Sequence, residues 1–403
     1  MARNEDARKL LFTALADKPT NRQTDKRTNE QTDMGRRKKD LLQQLRVLTF
    51  FVTSKCNARC RTCFYWRELN KDPEDELSLA EIERISASLP AFPHLLISGG
   101  EPFLRPDLKQ VLDVFVRQNQ LTSIDIPTNA LLPEPCSAVA EAVLTSHPQI
   151  LLTIGVSLDG MEATHDAIRG VKGNFQYVFR TLEQLNELRD RLLKRLPTSG
   201  QLKFQIYTLT VLTQQNIGEV PQLIEYVKQH ADVDGMMFEI IRGVPADSNL
   251  QPPSADEFQG IVPLMLETNF ELMGKRWTHE RALRLSYIKS VYQLQAEMLR
   301  RGKLMVPCQA GVVLGVIEPN GDVRLCELLE PVGNLRDAEY DFKAVWLGPT
   351  AEQQRAWIRR TGCACTHCVN LGHSVDASGR ARRRRMSFQH AFERKGLIVH
   401  RHS

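Results

Sequence analysis

No stretch of this sequence stays apolar for the roughly 18–20 residues that a membrane-crossing helix needs. The N-terminus also lacks the basic-then-apolar pattern of a secretory leader. A cytoplasmic protein is the expectation. Residues 1–45 contain no cysteine and little apolar character, and they read as a disordered N-terminal segment in which Met34 is a candidate start. Aromatic residues are missing from the one strongly basic run, Arg380 and Arg382 to Arg385, so base stacking has no support there. Residues 369–403 read as a basic flexible tail, and nucleic acid is not an expected partner. The net charge of +5 resides in the chain ends: residues 1–45 carry +4 and residues 369–403 carry +6, which leaves the middle at about −5.

The middle of the chain is patterned as α/β. Apolar runs at 47–53, 94–99, 123–128, 151–159, 202–212 and 235–243 alternate with helix-like stretches at 78–90, 106–119, 133–146, 163–195 and 215–230. Ser78 with Glu81, and Asn216 with Glu219, have the spacing of helix-opening caps, and Asn216 is read as a cap. Six strands separated by helices predict a parallel sheet with crossover helices. About 200 residues is short for a closed eight-unit barrel. The expected fold is therefore a partial (β/α)6 TIM-like barrel over 46–245, with a site at the carboxyl ends of its strands. A helical bridge is expected over 246–302. Residues 303–368 hold five of the nine cysteines and a strand–turn–strand pattern around Asn320-Gly321, which reads as a small cluster-binding extension.

Clustered cysteines in a large chain without a leader read as metal or Fe–S ligands, not as disulfides. Cys56, Cys60 and Cys63 have C-x3-C-x2-C spacing directly after the first strand. Three thiolates in one loop can hold three irons of a [4Fe–4S] cubane and leave the fourth iron open. An open iron can chelate S-adenosylmethionine (SAM), and one-electron reduction then releases a 5′-deoxyadenosyl radical. Zinc is the alternative, although it usually takes a fourth protein ligand. Cys136, alone in an expected helix, reads as an inert buried thiol.

From about residue 47 to 368 the chain resembles the radical SAM superfamily, with a C-terminal extension of the SPASM or shorter twitch type. Thr62 stands where an aromatic residue is frequent, and Phe64, Tyr65 and Trp66 are expected to supply the aromatic wall instead. Ser98-Gly99-Gly100-Glu101-Pro102 resembles the GGEP motif. The resemblance implies that Gly99 and Gly100 let the backbone approach the cofactor and that Glu101 accepts from its ammonium. Thr128-Asn129-Ala130 replaces Thr-Asn-Gly, with Asn129 either a ribose contact or a turn residue. Ser157-Leu158-Asp159-Gly160 and His165-Asp166-Ala167-Ile168-Arg169-Gly170 resemble the SLDG…HDxIRG signature. Ser157 and Arg169 would then bind the methionine carboxylate, and Asp159 would either cap a helix or touch ligand.

The spacing from Cys308 through Gly321 to Cys326 resembles the start of such extensions. An auxiliary [4Fe–4S] cluster on Cys308, Cys326, Cys365 and Cys368 is expected, with Cys363 a spare or alternative ligand. A zinc knuckle using His367 is the competing reading. The implied function is reductive SAM cleavage followed by hydrogen abstraction from a small-molecule or peptide substrate. An electron donor such as flavodoxin or ferredoxin would be its partner. A non-catalytic Fe–S or zinc redox sensor on the same fold is the alternative.

Overall fold

Residues 47–53 are apolar without alternation, the pattern of a strand covered on both faces, and all seven are buried in β1 (Val47–Thr53). The computed structural model describes residues 41–71, 75–195, 201–273, 279–361, 365–367, 369, 371 and 372. Leu42 and Leu45 are already buried in the core, so ordered chain begins before the expected boundary at 45.

Five further parallel strands follow: β2 (His94–Gly99), β3 (Ser123–Thr128), β4 (Leu151–Ser157), β5 (Phe204–Leu212) and β6 (Gly235–Ile240). Between them lie α1 (Leu79–Ser88), α2 (Leu108–Asn119), α3 (Pro133–Ser146), α4 (Glu162–Arg169), α5 (Asn174–Arg195) and α6 (Val220–His230). These six strands lie in the order β6-β5-β4-β3-β2-β1 within a nine-stranded sheet. It is open, as the partial barrel requires.

The capping box at Ser78 and Glu81 forms as expected. Two helical expectations need correction. The stretch 163–195 breaks into α4 and α5, because Gly170 and Gly173 both adopt left-handed backbone at φ 66° and 81°. Asn216 caps nothing: its carboxamide accepts from the Thr213 N–H at 2.7 Å and donates to the carbonyls of Asp159 and Val211. It ties the β4 and β5 ends together.

Beyond the barrel come two long helices, α7 (Ala255–Leu272) and α8 (His279–Arg301). Asn269 of α7 closes the β6 edge, accepting from Met236 N at 3.0 Å and donating to Met236 O at 2.9 Å. The chain then returns to the other side of the sheet. There β7 (Leu314–Ile317) pairs in parallel with β1, and β8 (Asp322–Arg324) and β9 (Gly333–Asn334) follow antiparallel. The β7–β8 turn spans three residues, not the two of Asn320-Gly321 alone: Gly321 at φ 91° donates to Glu318 O, and Glu318 N donates to Asp322 O. Helices α9 (Phe342–Trp346) and α10 (Pro349–Thr361) complete the extension.

Candidate active site

The loop carrying Cys56, Cys60 and Cys63 leaves β1 and is fastened along its length. Asn70 accepts from Cys56 N at 3.0 Å and donates to Cys56 O at 3.2 Å. Arg59 N and Arg61 N donate to the carbonyls of Arg169 and Ile168 at the end of α4. A Cβ at Gly170 would lie 2.6 Å from Arg59 O, so glycine is what allows this contact. On the other side, Ala246 N donates to Cys63 O, and Arg61 pairs with Asp247 at 2.7 Å. The three thiols face a cavity of about 390 Å³. Burial pushes the Cys56 thiol up to about 11 and the Cys63 thiol to about 12, so their thiolates need a cationic ligand to persist.

Gly99 and Gly100 line the cavity and pack against the chain's own backbone. A Cβ on Gly99, at φ 116°, would sit 2.4 Å from Thr53 O, and one on Gly100 would sit 2.0 Å from Lys55 O. The backbone they admit is the chain's own, where Gly100 N and Glu101 N donate to Thr53 O and Lys55 O at 2.8 Å each. Glu101 is buried and committed to the β3 end, accepting from Thr128 Oγ1 at 2.9 Å and Asn129 N at 2.7 Å. Burial raises its carboxyl to about 7 against those donors. Asn129 lines the cavity; its oxygen accepts from Leu131 N, and its amide donates to Asn57 in the cysteine loop at 2.7 Å. Ala130 takes the left-handed conformation, φ 66°, that a glycine would adopt without strain.

Ser157 ends β4 and lines the cavity with Arg169. Arg169 is no surface residue. Its Nε lies 2.7 Å from Asp159 Oδ2, and its Nη1 lies 3.7 Å from Cys60 Sγ. Burial opposes its charge, but Asp159 and the cysteine sulfurs hold it firmly protonated. Asp159 caps no helix; it is fully buried and accepts from Val211 N at 2.8 Å. His165 accepts from Asp159 N through Nδ1, so its other nitrogen carries the proton toward Asn174. Burial keeps this imidazole neutral, with its pKa down at about 3.

Of the expected aromatic wall, Phe64 and Tyr65 line the cavity, whereas Trp66 is exposed and donates to Val244 O. Tyr65 donates to Glu318 at 2.9 Å. The far wall brings Arg242 against Glu239 and Glu327, with the Arg242–Glu327 pair at 2.6 Å and His367 Nδ1 3.7 Å from Glu327. Asp125, Tyr207 and Arg284 also line the cavity. Apart from His367, none of these wall residues belongs to a motif; an inward period of two marks Asp125 on β3, Tyr207 on β5 and Glu239 on β6.

Cys308, Cys326 and Cys365 lie close enough to perturb one another electrostatically, which together with burial raises Cys308 and Cys326 above the ordinary thiol range. Cys363 and Cys368 lie outside the described residues. Cys136 is fully buried in α3, as an inert thiol would be. Among the described residues no three His, Cys, Asp or Glu side chains converge as a single metal ion requires. The donor set at 56–63, three cavity-facing thiols beside a buried guanidinium, fits an anionic iron–sulfur cluster.

Parallel strands place cysteines at the carboxyl end of the first and an arginine beyond the fourth, the arrangement that the radical SAM resemblance implies. Over residues 50–227 the chain matches the family model of the Radical SAM superfamily. Its members are enzymes that use a [4Fe–4S] cluster and SAM. The chain is 24% identical over 315 residues to the Fe-coproporphyrin III synthase of Methanosarcina barkeri, covering 74% of this chain and 73% of that protein. It is 29% identical to the sporulation killing factor maturation protein SkfB of Bacillus subtilis, covering 80% and 69%. Its fold is shared with Streptococcus suis SuiB bound to S-adenosylmethionine, at TM-score 0.55 and 15% identity over 88% of this chain and 78% of that one. No helix among the described residues is long and apolar enough to cross a membrane.

Proposed function

We propose that Cys56, Cys60 and Cys63 hold the [4Fe–4S] cluster, that Ser157 and Arg169 hold the methionine carboxylate of SAM, and that the enzyme abstracts hydrogen from a substrate in the same cavity. When bound and reduced, the cluster supplies the electron that cleaves SAM to methionine and a 5′-deoxyadenosyl radical. The chain's own part is placement. Asp159 fixes the Nε edge of the Arg169 guanidinium and leaves the Nη edge beside Cys60 and the cavity. Phe51, Phe64 and Tyr65 supply apolar wall that limits water around a reactive intermediate.

Cys308, Cys326, Cys365 and Cys368 hold an auxiliary [4Fe–4S] cluster in this reading. The extension domain at 303–368 and an electron donor such as flavodoxin or ferredoxin belong to it too. Relatives named for heme synthesis and for peptide maturation leave both a small molecule and a peptide as substrate classes. The observation that carries the proposal is the Arg169 guanidinium 3.7 Å from Cys60 Sγ, inside the cavity that all three thiols face.

Anaerobic reconstitution should give about eight irons per chain, and reduction with SAM should release 5′-deoxyadenosine. Cys60→Ala should release none at any SAM concentration. Arg169→Ala should keep its iron but bind SAM about ten- to a hundredfold more weakly. Wild-type protein that binds four irons and one zinc would overturn the auxiliary cluster.

A further inference from the structure

Three arginines line the cavity among the described residues, and two of them are neutralised by the protein. Arg169 pairs with Asp159, and Arg242 pairs with Glu239 and Glu327. Arg284, on α8, has no carboxylate within ion-pair distance among the described residues. Its Nη1 donates to Gln205 Oε1 at 3.1 Å, and its guanidinium lies 4.7 Å over the Tyr207 ring. The carboxylate that feels its charge, Asp234, already accepts from Ile206 N at 2.8 Å and pairs with Arg189 at 3.3 Å.

The register places Arg284 deep in the barrel. Leu96 pairs with Asp125, Asp125 with Thr153 and Thr153 with Gln205, so these four form one row across β2 to β5. Ser157 stands four residues further along β4, about 13 Å at strand rise. The cysteine loop and Arg169 are thus at one end of the cavity, and Arg284 is at the other. Between them the wall carries Ile126, Tyr207, Leu209 and Met237, while Leu96, Asp125 and Thr153 line the cavity from the base row itself. Among the described residues the other N–H donors of the half-buried Arg284 guanidinium meet no hydrogen-bond acceptor, so its fork is open to an anion.

We propose that Arg284 anchors an oxyanion of the substrate, a carboxylate or a phosphate, at the base of the cavity. The inference rests on the preceding reading only in taking this cavity as the substrate's. The substrate then reaches the cysteine end with its reactive C–H bond while its charged group is held roughly 13 Å away. Tyr207 stacks on the guanidinium and keeps its fork turned to the cavity.

The test uses the full-length protein with benzoate, phenyl phosphate and benzyl alcohol as probes, titrated by saturation-transfer NMR. At least one anionic probe should bind wild type more tightly than the alcohol. Arg284→Gln should weaken that probe about ten- to a hundredfold and leave benzyl alcohol unchanged. Benzoate alone responding assigns a carboxylate, and phenyl phosphate alone assigns a phosphate. Equal anion binding by wild type and Arg284→Gln overturns the proposal, as does wild type that prefers neither anion to the alcohol. If Arg284→Gln does not fold, Arg284→Lys decides. It should keep a reduced preference for the anion, since an ammonium lacks the planar fork, and unchanged affinity in that variant sinks the idea. Wild type that neither binds nor cleaves SAM defeats the radical reading instead, because the probes are titrated without turnover.

Discussion

Cys56, Cys60 and Cys63 share one short loop whose backbone is bonded to the ends of α4 and to residues 246–247, and whose Asn57 is held by Asn129. Cys308, Cys326 and Cys365 come instead from before β7, after β8 and beyond α10; Cys308 Sγ accepts from Ala310 N and Cys365 Sγ from His367 N. The first group is positioned by the barrel itself, with glycines where backbones touch. The second depends on three separate segments arriving together. A ligand entering the first site finds it built, whereas metal at the second would contribute more of the organisation.

The sharpest way to break this contrast is to disturb what holds the first loop and ask whether the second responds. Asp159→Asn leaves a buried guanidinium without its counter-charge, and it should destabilise the chain by about 3–5 kcal/mol. The Asp159→Asn, Arg169→Gln double variant should regain most of this, and denaturant melts of the single and double variants measure the coupling. Additive losses would mean that Asp159 acts other than through Arg169.

Gly100→Ala should cost about 3 kcal/mol, because its Cβ meets a backbone carbonyl at 2.0 Å and only a shift of residues 53–55 relieves it. Reconstituted iron should fall by about half, with the loss confined to the Cys56–Cys63 site. Full iron at that site would show the loop to be less dependent on its glycines than the geometry implies.

The smallest effect is a pH slope. Glu101 binds its proton more tightly folded, near 7, than unfolded, at its ordinary 4.5. The folded state therefore holds the extra proton between those values, and stability falls as pH rises through them. Cluster-free protein should lose about 2 kcal/mol from this group between pH 5 and pH 7. Chemical denaturation across that range should show the slope in wild type and a flatter line in Glu101→Gln.

The strands were legible almost to the residue, because β1, β2 and β3 are apolar runs bounded by turn and helix signals. The cysteine spacing was legible for a chemical reason: three thiols in eight positions have few other uses. What the residues around them do was harder to read. Gly99 and Gly100 announce a close approach, but only the folded sheet reveals that Thr53 and Lys55 are what approaches. Asn216 reads as a local cap and Asp159 as either a cap or a ligand contact, whereas both make bonds across the β4–β5 junction. Arg284 gave no local signal at all. It sits in a helix far along the chain and meets Tyr207 only because α8 packs against the barrel.

The place of β7 in the sheet bears on how the protein stays dispersed. On one side Asn269 masks the β6 backbone; on the other, β1 relies on β7, with Val47 to Phe50 matched to Leu314 to Ile317. A chain ended before residue 303 would bare the amides and carbonyls of β1 between apolar side chains, an invitation to association with a second such strand. The extension thus acts as a built-in chaperone for the barrel's first strand.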